Sequence, residues 1–119
     1  MDKIQLQDRT KQFAIRIFKL VDKLPAKKAS DVVAYQLLKS SSSTAANYRS
    51  ACRAKSKADF INKLKTVEEE ADESLFWLEL IIEVGLVQKK LMADITKEAS
   101  ELVAIFTSAL KTSKQNRNS

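Results

Sequence analysis

The sequence predicts an all-α protein, an antiparallel up-and-down four-helix bundle, and three observations carry that reading. Helix breakers are nearly absent, since Gly85 and Pro25 are the only glycine and proline in 119 residues. Apolar residues recur at three- and four-residue spacing in successive stretches. The connections between those stretches are short, which sets consecutive helices side by side and antiparallel. The length fits one domain, residues 1–119, able to bury about two-thirds of the surface that its unfolded chain exposes.

The first helix is expected over about residues 8–24, where Phe13, Ile17, Leu20 and Leu24 form one stripe. Pro25 stops it by removing an amide donor and pushing Leu24 away from helical geometry. The second is expected over about 30–55, with Ser30 as N-cap and Asp31 in the first turn. Its centre is the run Ser40-Ser41-Ser42-Ser43-Thr44-Ala45-Ala46, which contains neither Gly nor Pro. Leu37, Ser41, Thr44, Tyr48 and Cys52 or Ala51 keep one face in register across it. The run therefore reads as helix, with small side chains that let a neighbour approach and hydroxyls bonded to the preceding turn; a flexible linker is the lesser alternative.

Ser56 followed by Asp59 has capping-box spacing and starts a third helix, expected over 57–84. Phe60, Leu64, Val67, Ala71, Leu75, Leu78 and Ile82 mark its buried stripe, and Gly85 stands where a left-handed C-cap residue belongs. The fourth is expected over 88–110, burying Leu91, Ile95, Leu102, Ile105, Phe106 and Ala109. The polar tail 112–119 is expected to be disordered.

Catalytic chemistry finds no foothold. The chain has no histidine, so the Glu-x-x-His pairs of di-iron bundles are absent. Phosphate-loop glycines, a nucleophile elbow and zinc-ligand spacing are absent too. Glu68, Glu69, Glu70, Asp72 and Glu73 are consecutive enough to point around a helix without converging on an ion, so no metal or cofactor is implied. Cys52, the one cysteine, reads as structural and suits a reducing cytoplasm. No signal peptide or membrane span is visible, so a cytoplasmic protein without an enzymatic role is expected.

Charge is the more informative signal. Residues 21–57 hold eight bases against two acids, whereas residues 58–87 hold two bases against eight acids. The densest bases, Arg49, Arg53, Lys55 and Lys57, flank the turn between the second and third helices and are the candidate contacts to RNA or DNA phosphates. Tyr48 beside them is a candidate base-stacking ring or, by its register, a core residue. Phe76 and Trp77 adjoin the core stripe and widen the apolar face, so they, with Glu69 and Glu73, are the candidate subunit interface. An acidic face meeting the basic face of another copy would be a heterologous contact able to close a ring. A protein-interaction scaffold with no nucleic-acid role is the alternative reading of the same asymmetry.

The segments Gln36-Leu37-Leu38-Lys39-Ser40, Ser43 to Ala51 with its Asn47-Tyr48-Arg49 signature, Arg53 to Ile61, Glu73 to Leu80 and Glu98 to Leu102 with Ala104-Ile105-Phe106 resemble one bacterial family. It is the four-helix-bundle family named for proteins encoded in intervening sequences of 23S ribosomal RNA genes. Ser50 departs from its usual Glu, and Ser41 to Ala46 replaces a Gly-containing run. The resemblance implies an up-and-down bundle, a toroidal homopentamer, and a kinship with accessory proteins of diversity-generating retroelements. Those relatives engage nucleic acid and a reverse transcriptase, which would make a reverse transcriptase a further partner.

Overall fold

The computed structural model describes residues 1–117 and consists of four α-helices: α1 (Lys3–Val21), α2 (Lys28–Ala51), α3 (Lys57–Glu83) and α4 (Lys89–Arg117). Each packs against the next in sequence, and α4 returns to α1 along the most loosely packed of the four seams. The result is an up-and-down bundle 51 Å long and about 20 Å across. Among the described residues no helix is long and apolar enough to cross a membrane.

Capping chemistry explains where the helices begin and end. Asp2 accepts from the Gln5 amide, and the Gln5 side chain accepts in turn from the Asp2 amide; this box starts α1 five residues before the expected boundary. The Lys23 amide closes the other end on the Leu20 carbonyl, two residues ahead of Pro25. α2 starts at Lys28 with no side-chain cap, so Ser30 is not the N-cap that its residue type suggests. Ser30 lies inside the first turn, buried, and its hydroxyl finds no partner among the described residues.

The Ser56 hydroxyl accepts from the Asp59 amide at 3.1 Å and starts α3 as expected. The reciprocal half of the box is displaced by one residue: the Asp59 carboxylate accepts from the Lys55 amide, not from that of Ser56. At the far end Gly85 has φ 77°, and the Leu86 and Gly85 amides donate to the Ile81 and Ile82 carbonyls. That pair of bonds is a Schellman motif, and only glycine takes its left-handed residue without steric cost.

The core is continuous along the bundle and includes Phe13, Ile17, Leu37, Ile61, Leu64, Leu78, Ile81, Met92, Leu102 and Phe106. In α3 Leu64, Val67, Ala71 and Leu78 are buried as expected, but Ile61, Ser74 and Ile81 are buried in place of the expected Phe60, Leu75 and Ile82, which flank them half-buried. In α4 Met92 takes the place expected of Leu91, which is 72% exposed. Along α2 the face Leu37, Ser41, Thr44, Tyr48 and Ala51 is buried, and Cys52 is the half-buried cap beyond it. The serine run is helix throughout. Ser42 and Thr44 donate to the Leu38 and Ser40 carbonyls one turn back, at 2.6 and 2.8 Å.

Small residues set the α2–α3 seam. Ser40 of α2 and Ser74 of α3 meet there, both buried. The Ser74 hydroxyl donates to Ser40 Oγ at 2.8 Å across the seam, with the Glu70 carbonyl at 3.0 Å as its alternative acceptor. The α1–α4 seam is closed differently. Arg9 forms a two-pronged pair with Glu98, Nε to Oε2 at 2.8 Å and Nη2 to Oε1 at 2.6 Å. The bond to Arg9 holds the Glu98 carboxyl below the ordinary glutamate range.

α4 departs most from expectation. It runs on through Arg117, whereas disorder was expected from residue 112; Asn118 and Ser119 lie outside the described residues. No Gly or Pro interrupts 111–117, Leu110 remains core, and Ser113 and Lys114 stay half-buried, so the last turns still have something to pack against.

Candidate nucleic-acid interface

The up-and-down path brings the start of α1, the end of α2, the start of α3 and the end of α4 to one pole of the bundle. A cleft of about 480 Å³ there is lined by Lys3, Cys52, Ser56, Lys57, Phe60, Ser113 and Asn116 among others, so all four helices meet in it. Lys3 sits over the Phe60 ring, its ammonium 5.1 Å from the centroid. Lys55 is exposed in the turn beside the cleft, and Lys111 is exposed on the last turns of α4.

Few acids oppose these bases. Asp2 is engaged in capping α1, and the Asp59 carboxylate accepts both from the Lys63 ammonium at 2.8 Å and from the Lys55 amide. The bond to Lys63, with that from the Lys55 amide, holds the Asp59 carboxyl below its usual range, so it stays ionised in place. Ion pairs among the described residues involve Arg9 and Lys63 as the bases, and none uses Lys3, Lys55, Lys57 or Lys111. The pole is thus a cationic cap, about 20 Å across, in which Lys3 and Lys57 line a shallow cleft and Lys55 adjoins it.

The four bases expected to act together are divided between two places. Lys55 and Lys57 belong to the pole. Arg49 and Arg53 line a separate, larger cleft of about 870 Å³ between α1 and α2, whose floor is apolar. Tyr48 reaches neither. It is 4% exposed, its ring centroid 5.3 Å from that of Phe106, and burial pushes its phenol well above the ordinary tyrosine value. It is the core residue that its register suggested, and no base can stack on it. Cys52 is free and half-buried against the core. Sequence reasoning missed Lys3 and Lys111 because it did not extend the end helices far enough; the Asp2/Gln5 spacing was the signal available for the first.

The four expected interface residues do lie together on α3. Phe76 is 52% exposed, while Trp77 is half-buried, edge-on to Phe76 at 5.1 Å, with its indole N–H reaching Glu73 at 3.4 Å. Glu69 is exposed one turn earlier, and between Thr66 and Glu83 the chain carries seven acids and no base. Burial, then the neighbouring Glu73 charge, raises the Glu70 carboxyl above its ordinary range, while Lys39 pulls the other way. Among the described residues no group of three His, Cys, Asp or Glu side chains is placed to hold a metal ion.

Among the described residues these features define an all-helical bundle with a small cleft at one pole and a larger apolar one between α1 and α2. Residues 2–108 match the model of the 23S rRNA-intervening sequence protein family, and the chain belongs to that family. It is similar to a solved protein of unknown function from the S23 ribosomal protein family of Bacteroides thetaiotaomicron VPI-5482, with 34% identity and a TM-score of 0.84. That similarity covers 93% of this chain and 99% of the other. No curated protein matches the chain.

Proposed function

We propose that this protein is a non-enzymatic, homo-oligomeric bundle that binds the backbone of RNA or DNA through its basic pole. The observation that carries the reading is the meeting of Lys3 of α1 and Lys57 of α3 at one shallow cleft, with Lys55 in the adjoining turn, Lys111 exposed at the same end of the bundle, and the two nearby carboxylates already engaged. Exposed ammonium groups without fixed partners suit contacts to phosphate, in which released counterions supply the free energy. The cleft offers no array of planar donors for reading base edges, so the binding is to backbone and indifferent to sequence. Repetition of the pole in an oligomer multiplies contacts on one strand without any new chemistry.

The test is fluorescence anisotropy of single-stranded and duplex RNA and DNA across a salt series, on protein whose mass has been fixed by light scattering. The reading expects log K to fall linearly with log salt, with a slope of about −3 on single strands for four contacts per subunit engaged. Absence of binding at low salt overturns it and leaves the charge asymmetry to protein contacts.

A further inference from the structure

The aromatic ring that the pole presents is Phe60. Ile61 takes the core position beside it, which leaves Phe60 half-buried and lining the cleft. Ala51 and Ala54, on either side of the end of α2, line the same cleft with methyl groups, which are small enough to leave it open. α4 adds a further wall: Ser113 and Asn116 lie on the turns that continue past Leu110, and a helix ending there would leave the cleft without them. The volume of about 480 Å³ falls among those of sites that hold small ligands, about 300 to 1,000 Å³.

Contacts to phosphate alone do not use this recess. Lysines on a convex surface would hold a backbone as well, whereas a ring and two methyl groups beside the exposed Lys3 and Lys57 suit something flat and apolar attached to an anion. A nucleotide out of its stack is such a group. In a duplex the faces of each base are covered by its neighbours, but in a single strand a base can leave the stack with its phosphate still attached. We propose that the pole takes single-stranded RNA or DNA, with one unstacked base seated in the cleft against Phe60 and its phosphate held by Lys3 and Lys57. This seating rests on the nucleic-acid binding proposed above and adds the strandedness of the ligand and the place of its base. The Lys3 ammonium, 5.1 Å from the Phe60 centroid in the free protein, passes from the ring face to the phosphate as the base takes its place. The ring has a partner in both states, and the cation exchanges a quadrupole for a full charge. Ser113 and Asn116 offer one hydroxyl and one amide, too few groups to choose among bases, and every base has a face to stack, so the seat tolerates any sequence.

Removing bases without removing phosphates tests the seating. Anisotropy titrations compare an oligothymidylate of about 12 nucleotides with a strand of the same length and charge built from tetrahydrofuran abasic residues. The intact strand is expected to bind about ten-fold or more tightly than the abasic one. Two variants that leave the charge unchanged locate the base: Phe60→Leu removes the ring but keeps an apolar side chain, and Ala54→Leu fills the cleft from the turn. In each, with helicity unchanged by circular dichroism, the ratio of the two affinities is expected to fall to about one; should Phe60→Leu disturb the fold, Ala54→Leu decides alone. Equal affinities of wild type for the two strands overturn the seating and leave phosphate binding in place. A ratio that survives in the folded variants also overturns it, because the base then sits elsewhere. If neither strand binds at low salt, the seating falls together with the nucleic-acid binding on which it rests.

Discussion

The α2–α3 and α1–α4 seams hold the same bundle closed by opposite means. Across the first, hydroxyl and methyl side chains let two backbones approach, and Ser74 and Ser40 satisfy each other in the interior. Across the second, which is the more loosely packed, one guanidinium–carboxylate pair spans the gap near the surface, with Glu101 a further 3.6 Å contact to Arg9. The close seam tolerates no added volume and gains little from charge. The clamped seam depends on charge and should be the one that acid loosens. Both serve the pole, since the first leads into the α2–α3 turn and the second aligns the outer helices whose ends carry Lys3 and Lys111.

The largest effect is expected where volume is added to the close seam. Ser74→Leu forces α2 and α3 apart and strands the Ser40 hydroxyl, and it should cost about 2 to 3 kcal/mol in urea unfolding. Breaking the clamp comes next. Glu98→Gln removes a charge-assisted, two-pronged pair that is mostly shielded from solvent and should cost about 1 to 2 kcal/mol. The sign with pH follows from the direction of the shift. Since the Glu98 carboxyl is held below its unfolded value, its contribution is present above the ordinary glutamate pKa and disappears as pH falls through the lower, folded one. Melting temperatures of wild type and Glu98→Gln should therefore converge as pH falls below the ordinary glutamate range.

Two smaller effects sharpen the contrast. Beside the close seam Ser41 is buried with a hydroxyl that has no partner among the described residues, so Ser41→Ala should stabilise the bundle by up to about 1 kcal/mol. A loss of stability there would mean that the hydroxyl is bonded after all. Glu70, at the edge of the same seam, has its carboxyl raised, so its charge opposes folding once pH exceeds the ordinary glutamate value. Glu70→Gln should be neutral or stabilising at pH 7 by less than about 0.5 kcal/mol, with the difference vanishing in acid.

Much of this architecture was legible in the chain. Four helices follow from periodicity and from the scarcity of Gly and Pro, and the Ser56 and Gly85 signals mark both ends of α3 within a residue. The exact buried face was less so, for a physical reason. Where two apolar residues are adjacent, as in Phe60-Ile61, Ile81-Ile82 and Leu91-Met92, each turns only 100° from the other and periodicity does not choose between them. At Ser74-Leu75 hydrophobicity chose wrongly, because a close seam favours the smaller side chain.

The candidate site was legible in half. Lys55 and Lys57 lie at the pole, but Arg49 and Arg53, only a turn away in sequence, line another cleft because α2 ends at Ala51 and the chain turns there. The Asp2/Gln5 spacing starts α1 early enough to carry Lys3, but its meeting with Lys57 across the cleft is a tertiary contact that no local pattern encodes. Phe76 and Trp77 share α3 with Glu69 and Glu73 as expected, whereas the α1–α2 groove needs two helices to exist and shows in neither alone.

The central claim is that position, rather than net charge, makes the pole a polyanion site. Two variants with the same loss of charge decide it: K3Q/K55Q/K57Q/K111Q at the pole, and K23Q/K27Q/K28Q/K89Q at the opposite end, all at exposed positions. Anisotropy titration of a single-stranded RNA at about 0.1 M salt should show the first variant binding about a hundred- to a thousand-fold more weakly, with a shallower salt slope, and the second within about three-fold of wild type. Equal losses in the two variants would contradict the account, because binding would then follow net charge and the pole would have no special role.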